Sequence, residues 1–191
     1  MTRTTPRGRI AAAVAAALLA AVALVGPAAH AATPAGSSVQ GQENLILCTG
    51  SVTIDYSPAL RPLPEPTTQT VVERLGADGG GGCTGPFAGG SASTVFQQEV
   101  SCLVQGLGDT LVENVVTYDW HDGRSSTIRY PVTTVVRLAN QLVVTSTGTV
   151  TAGYGTGALS ERVAVYPDLD VLSCLTSGVA RQTGLLTVTI A

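Results

Sequence analysis

The feature that most constrains the fold is a run of three alternating segments across residues 111–154. Successive side chains of a β-strand point to opposite faces, so alternation of apolar and polar residues predicts strands with one buried face. In the first segment the predicted inward residues include Val116, Tyr118 and Trp120, whereas Val115 falls on the outward parity. In the other two segments the predicted inward residues are Ile128, Tyr130, Val132, Val136, Leu138, Leu142, Val144, Val150 and Ala152. The pattern predicts an antiparallel three-stranded meander.

The turn between the first two segments contains Asp122 and Gly123, a strong hairpin signal. A two-residue loop would send the apolar residues of the two arms to opposite faces, which the hydrophobic pattern forbids. A three-residue loop of residues 121–123 instead pairs Tyr118 with Ser126 and keeps the apolar residues together. We therefore predict this loop, with Gly123 in the left-handed conformation that a Cβ would disfavour.

The second turn surrounds Asn140. A three-residue loop there pairs Leu138 with Leu142 and Val136 with Val144, which keeps the assigned parity. A five-residue loop fits that parity equally well. On either interpretation Val135 faces water.

The start of the chain has the pattern of an export signal. Basic residues are followed by the apolar run 10–25 and by an A-x-A cleavage site, Ala29-His30-Ala31. We predict a signal peptide over residues 1–31, a flexible leader over 32–44 and a single domain over 45–191. No further apolar segment follows, so no membrane insertion is expected after cleavage.

The exported part carries a net negative charge. Removing the three signal arginines from ten basic residues leaves seven, against thirteen acidic residues, a net of −6 (7 − 13). Nucleic acids and anionic membrane surfaces attract basic patches, so the sequence argues against nucleic acid as a partner. An extracellular protein or glycan partner remains compatible with this charge.

The cysteines predict two disulfides. All four lie in the exported part, where an even count in an oxidising compartment favours disulfides. None shows the spacing of a zinc site, and the exported part has one histidine, so neither a metal nor a cofactor is expected. Four cysteines allow three connectivities, of which the strand and loop surroundings favour Cys48–Cys102 and Cys83–Cys174.

One polar cluster at the predicted hairpin tip is a candidate binding site: Asp119, His121, Asp122 and Arg124, beside Ser125 and Ser126. A hydrolytic triad needs serine, histidine and an acid in mutual reach, together with an oxyanion hole, and one histidine on a turn does not supply these by itself. We therefore assign no catalytic residues. Pairs of carboxylates, 119 with 122 or 168 with 170, are also too few for calcium.

The strand count predicts an all-β fold. Further predicted strands at 45–56, 67–75, 96–104, 160–166 and 185–190 bring the total to about eight, although the inward face of 67–75 does not follow from its pattern. The connections 57–66, which contains four prolines, and 76–95 are long enough to cross between sheets. We therefore predict an antiparallel, Ig-like β-sandwich with a central meander, and a closed β-barrel as the alternative.

Several short elements carry a resemblance: Cys48-Thr49-Gly50, Tyr56-Ser57-Pro58, Ser101-Cys102-Leu103, residues 120–126, Gly148-Thr149-Val150 and Cys174. Together they resemble secreted, Ig-like β-sandwich proteins of actinobacterial type, a group without an assigned activity. The resemblance implies the fold and the secreted location, and it carries over no functional residues.

These observations predict a secreted, disulfide-stabilised, non-enzymatic module that binds a partner or serves as an envelope-associated structural element. One alternative is a secreted hydrolase that uses the 119–126 tip. Another is a protease inhibitor that presents the 57–66 loop, with Leu60 or Arg61 as the recognised residue.

Overall fold

The computed structural model describes residues 45–103 and 114–191. The predicted signal peptide (1–31) and the predicted leader (32–44) lie outside the described residues. The strands are β1 (Ile46–Leu60), β2 (Glu65–Gly76), β3 (Cys83–Thr84), β4 (Gly89–Val100), β5 (Asn114–Trp120), β6 (Ser125–Leu138), β7 (Gln141–Gly153), β8 (Leu159–Pro167) and β9 (Val179–Ile190). A 3₁₀ turn, Ala77–Gly79, and one short helix, α1 (Val171–Leu175), complete the fold.

The strands form a closed, eight-stranded antiparallel barrel. The order is β2-β4-β5-β6-β7-β8-β9-β1, and β1 pairs with β2 to close the ring. Strand β3 is an additional short strand on β1, where Cys83 and Thr84 pair with Cys48 and Leu47. Closure gives the strands one shared interior. The β4–β5 contact is the shortest in the ring, because these strands pair only at Gly90–Trp120 and Ser91–Asp119.

The barrel corrects the predicted Ig-like sandwich and confirms its alternative. Neither long connection crosses between sheets. β1 and β2 extend into the 57–66 segment, so that residues 61–64 form a hairpin turn and β1 pairs with β2 from Gly50–Leu75 to Ser57–Thr68. The second connection holds β3 against β1 before β4 returns to pair with β2 along its whole length.

The two ends of the barrel are distinct. We call the end where β1 begins and β5 stops the Trp120 end, and the end where β1 stops and β2 begins the Leu60 end. The β5–β6 turn and β3 lie at the Trp120 end. The 61–64 turn, residues 101–103 and α1 lie at the Leu60 end.

The β5–β6 hairpin confirms the predicted register. Tyr118 pairs with Ser126, as the three-residue loop requires. Gly123 has a φ of 86°, and its N–H donates to the Trp120 carbonyl at 3.0 Å. The apolar alternation and Gly123 therefore suffice to predict the register of this hairpin. Part of the predicted first segment, residues 111–113, lies outside the described residues.

The second half of β6 contradicts the predicted parity. Arg129 pairs with Thr149 and Val132 with Thr147, so β6 contains one extra residue at this point, a β-bulge beside Pro131. Proline cannot donate a ladder hydrogen bond and marks such bulges. Beyond the bulge the faces exchange, and the residues that become exposed instead of buried are Val132, Val136 and Leu138. Val135 turns inward and packs against the core.

The β6–β7 turn is shorter than predicted. Leu138 pairs with Gln141, and Ala139, with a φ of 51°, forms a two-residue loop with Asn140. The predicted pairings of Leu138 with Leu142 and of Val136 with Val144 are therefore wrong. Because the bulge reverses the β6 faces, the turn that keeps both apolar faces inward is one residue shorter.

Strand β7, the third segment of the predicted meander, follows its prediction except at one end. Leu142 and Val150 are buried and Val144 packs against the core, but Ala152 is exposed. A second bulge explains the difference, because one residue on β6 is matched by two on β7 between Val150 and Ala152.

The disulfides are Cys48–Cys83 and Cys102–Cys174, which corrects the predicted pairing. Cys48 and Cys83 are register partners at the Trp120 end, whereas Cys102 and Cys174 meet at the Leu60 end. A bridge can span only about 4–7 Å between Cα atoms, far less than the barrel length, so Cys48 cannot reach Cys102. Each disulfide thus secures one end of the barrel.

Inward-facing glycines accommodate the large rings of the interior. A Cβ at Gly90 would lie 2.7 Å from the Trp120 ring, and one at Gly184 would lie 2.7 Å from the Tyr166 ring. An eight-stranded barrel has an interior only wide enough for side chains or one small ligand, so a ring on one strand requires little bulk on its neighbour. Among the described residues, no helix has the length and apolar character needed to cross a membrane.

Candidate functional site

The interior at the Leu60 end is only partly filled. On β4 the inward residues Gly90 and Ala92 are buried, but from Thr94 onward the inward side chains are half-buried. On β6 the inward residues are buried up to Tyr130 and half-buried at Thr133 and Val135, and the next residue of that parity, Arg137, is exposed. On β4 this change comes where its pairing with β5 ends, at Ser91–Asp119, so the inward side chains beyond that point retain contact with solvent.

We call this region the open half. It combines apolar and hydrogen-bonding side chains, and at its outer edge the charge of Arg137 is paired with Asp168 at 2.8 Å. Phe96, Val135 and Val144 supply apolar surface packed against the core. Thr133 shares a hydrogen bond with the Ser146 hydroxyl at 3.0 Å, and the Gln69 amide donates to Gln98 at 3.4 Å. The residues that define the open half are Ile54, Thr94, Phe96, Gln98, Val100, Thr133, Val135 and Val144.

A buried ion pair crosses the interior beside the open half. Nε of Arg162, on β8, donates to Oε1 of Glu73, on β2, at 2.7 Å, and Nη2 donates to the same oxygen. The Tyr118 hydroxyl, on β5, donates to Glu73 Oε2 at 2.6 Å. Three strands that are not neighbours in the sheet are thus joined through one carboxylate. Because both charges are almost fully buried, each requires the other to offset its lost hydration.

A second set of hydrogen bonds lies alongside. The Ser160 hydroxyl donates to the Thr189 carbonyl at 2.9 Å. Its contact with the Tyr130 hydroxyl at 3.0 Å therefore has Tyr130 as the donor. We call the group Glu73, Tyr118, Tyr130, Ser160 and Arg162 the polar layer. Among the described residues, no buried side-chain polar atom lacks a hydrogen-bond partner.

The polar layer keeps its tyrosines protonated. Burial raises the pKa of Tyr118 well above its usual range, and the negative Glu73 raises it further. Burial also raises the pKa of Tyr130 and that of the neighbouring Tyr166 to about 12. Burial disfavours the charged form of Arg162, but the attraction of Glu73 gives the guanidinium a raised pKa overall. At neutral pH these hydroxyls are hydrogen-bond donors, and they do not act as bases.

Aromatic rings fill the Trp120 end. Phe87 stacks on Trp120, with ring centroids 4.5 Å apart and an interplanar angle of 1°. Tyr154 meets Phe87 edge to face at 4.9 Å, and the Arg124 guanidinium lies over both rings, 4.5 Å from Phe87 and 4.6 Å from Tyr154. We call these four residues the aromatic cap. Such stacked and cation–π contacts stabilise the packing at this end.

The predicted binding tip is thus part of the barrel closure. Asp122 accepts from Arg124 Nε at 2.6 Å, which lowers the pKa of Asp122. His121 Nε2 lies 3.3 Å from Asp78 Oδ2, so the tip contacts the 3₁₀ turn. Asp119 is exposed on β5. The structure gathers these residues in one hairpin, where His121, Asp122 and Arg124 have contacts at the Trp120 end. A binding role for the tip stays a prediction.

Ser126, one of the two serines beside the tip, is already engaged. The Ser126 hydroxyl accepts from Trp120 Nε1 at 2.9 Å and donates to the Tyr154 carbonyl at 2.8 Å. A nucleophilic serine must instead donate to a general base. His121, the histidine of the tip, contacts Asp78 rather than Ser126.

The 57–66 segment does not present Leu60. That side chain is fully buried at the Leu60 end with Tyr56, Cys102 and Cys174. Arg61 is exposed, and its Nη1 donates to the Thr176 carbonyl at 2.6 Å. A residue that enters a protease pocket must protrude, which Leu60 does not.

The acidic pairs considered for calcium have other partners. Asp168 accepts from Arg137 at 2.8 Å, and Asp170 caps α1 by accepting from the N–H groups of Leu172 and Ser173. Across residues 45–103 and 114–191, no group of three or more His, Cys, Asp or Glu side chains could hold a metal ion.

Sequence reasoning missed both the open half and the polar layer. A signal was present in the alternation, because Glu73 shares the parity of Val71 and Leu75, and Arg162 shares that of Ala164. An acid and a base on inward parities indicate a buried pair.

Comparisons of the chain with protein-family models, curated proteins and solved structures find no match.

The ion pair yields a stability prediction. Replacing one partner, Glu73→Leu or Arg162→Met, leaves a buried charge uncompensated and should lower the free energy of unfolding by about 3–5 kcal/mol. The double variant removes both charges and should lose less than either single variant. Urea unfolding followed by circular dichroism measures these values. Asp55→Asn, which breaks the exposed contact with Arg181, is the control and should be close to wild type. Additive losses in the double variant would contradict the pairing.

The tyrosines yield a pH prediction. In the unfolded chain tyrosine hydroxyls lose their protons near pH 10, but Tyr130 and Tyr166 in the barrel keep theirs to about 12. Their contribution to stability is present below about pH 10 and falls as the pH rises toward 12, by about 1.4 kcal/mol per pH unit for each tyrosine. Urea unfolding at stepped pH measures the slope, which Tyr130→Phe should reduce. Tyrosinate absorbance that rises for all five tyrosines near pH 10 without unfolding would contradict it.

Proposed function

We propose that the protein is a secreted, non-enzymatic binding protein that takes up one small, uncharged, amphipathic ligand in the open half of its barrel. The observation that carries the proposal is the row of inward-facing but half-buried side chains on β4, at Thr94, Phe96 and Gln98. A barrel of eight strands is wide enough for one small ligand where side chains do not fill it.

The chemistry of the open half favours a particular kind of ligand. Phe96, Val135 and Val144 would cover an apolar body, while the Thr94 hydroxyl would hydrogen-bond to a polar substituent. The charges of the polar layer already neutralise each other. A charged ligand would lose its hydration without gaining a counter-ion, so an uncharged ligand is favoured.

Secretion is part of the proposal. Two disulfides, one at each end of the barrel, suit an oxidising, extracellular environment. They also hold the barrel ends in place, and a pre-formed interior binds a ligand at a smaller entropic cost. The same features suit an envelope-associated protein.

The proposal is tested with N-phenyl-1-naphthylamine, an uncharged, mainly apolar dye with one N–H group whose fluorescence rises in apolar surroundings. The native protein should bind it. Phe96→Ala, which removes an apolar wall of the open half, should weaken binding about tenfold, because burying such a ring contributes roughly 1.5–3 kcal/mol. Fluorescence titration gives the affinities.

Matched variants on the outer face serve as controls. Val95→Ala changes the exposed neighbour of Phe96 and should leave binding unchanged. Val135→Trp should fill the open half and abolish binding, whereas Val136→Trp should not, since Val136 faces outward. Circular dichroism confirms folding. Dye binding that is absent in the native protein, or equally affected by inner and outer variants, would refute the proposal.

A further inference from the structure

Of the fourteen exposed leucine and valine side chains among the described residues, five lie on connecting segments at the Leu60 end and the other nine on or beside the barrel strands. Leu63 is 79% exposed in the 61–64 turn, and Leu103 is 52% exposed just after β4. On α1 the exposed fractions are 59% for Val171, 69% for Leu172 and 60% for Leu175. We call these five residues the aliphatic rim. They lie at the end of the barrel where the open half is found.

The three segments that carry the rim are tied together. Cys102 is bonded to Cys174, so the residue before Leu103 is linked covalently to the residue before Leu175. The Cys102 N–H donates to the Arg61 carbonyl at 3.0 Å, and Arg61 Nη1 donates to the Thr176 carbonyl at 2.6 Å. Asp170 caps the start of α1. The rim is therefore held in position before it meets any partner, which lowers the entropic cost of docking.

The composition of the rim argues for a hydrocarbon partner. All five side chains are leucine or valine, whereas the core of a protein interface is enriched in Tyr, Trp, Phe, Met and Arg. Five residues are also far fewer than the roughly 20–30 residues per side of a standard protein interface. Apolar side chains that protrude from one end of a molecule can instead insert into the boundary between lipid headgroups and acyl chains.

The charge of the chain specifies the lipid surface. The chain has no lysine and carries more acidic than basic residues, so an anionic surface would repel it. Arg61, the charged side chain of the 61–64 turn, lies against the Thr176 carbonyl. The suitable surface is therefore a neutral, zwitterionic one.

We infer that the aliphatic rim docks the Leu60 end of the barrel onto a neutral lipid surface, from which the open half takes an uncharged lipid-derived ligand. The docking part of this inference depends on the aliphatic rim alone, whereas the identity of the ligand rests on the proposed function. The ligand would move between the acyl region and an apolar interior, and would avoid water on the way.

The inference is tested by sedimentation of the secreted protein with vesicles of phosphatidylcholine, and with vesicles that also contain phosphatidylglycerol. The native protein should bind the first, and the anionic lipid should not strengthen binding. Leu172→Ser and Leu175→Ser should each weaken vesicle binding about tenfold, because each removes one inserted leucine. Leu185→Ser, at an exposed leucine on the barrel wall, is the matched control and should leave binding unchanged.

The same set of variants distinguishes the docking proposal from the ligand-binding proposal. Phe96→Ala should lose affinity for N-phenyl-1-naphthylamine and still bind vesicles, while the rim variants should keep their affinity for the dye in vesicle-free buffer. Failure of the native protein to bind phosphatidylcholine vesicles, or binding that requires phosphatidylglycerol, would overturn the inference. So would analytical ultracentrifugation showing a dimer that dissociates on Leu172→Ser, since a second copy would then cover the rim.

Discussion

The buried contact between Glu73 and Arg162 is the interaction on which the interior of this barrel depends. It joins β2 to β8, and Tyr118 brings β5 to the same carboxylate. An uncompensated charge at this depth would cost several kcal/mol, so the three strands are held at one spacing. The contact also specifies register, because a slip of one residue in any of these strands would turn its polar group to the outside.

The two ends of the barrel differ because they are closed differently. At the Trp120 end, Phe87, Trp120 and Tyr154 pack against one another under Arg124. At the Leu60 end, a small cluster around Cys102–Cys174 packs against β1 and β9, whereas inward residues of β4 and β6 keep contact with solvent. The inward side chains are therefore packed more completely at the Trp120 end than on β4 and β6 at the Leu60 end.

The sequence predicts local structure well and long-range structure poorly. The β5–β6 register follows from alternation together with Gly123, since both act over a few residues. The second half of β6 was assigned to the wrong face because alternation was carried through Pro131, where a bulge exchanges the faces. Closure into a barrel depends on β1 pairing with β2 while also pairing with β9, which no local pattern reveals. The ion pair joins residues 89 positions apart, so only the inward parity of each could have suggested it.

The central claim is that a small molecule binds in the interior at the Leu60 end of the barrel. The most direct measurement is a titration of the isotopically labelled protein with N-phenyl-1-naphthylamine, followed by methyl and aromatic NMR shifts and intermolecular nuclear Overhauser effects. The account predicts contacts between the dye and Phe96, Val135 and Val144, and none with their outward neighbours Val95 and Val136. Contacts confined to outward-facing residues, or an interior whose signals do not change at saturating dye, would contradict it.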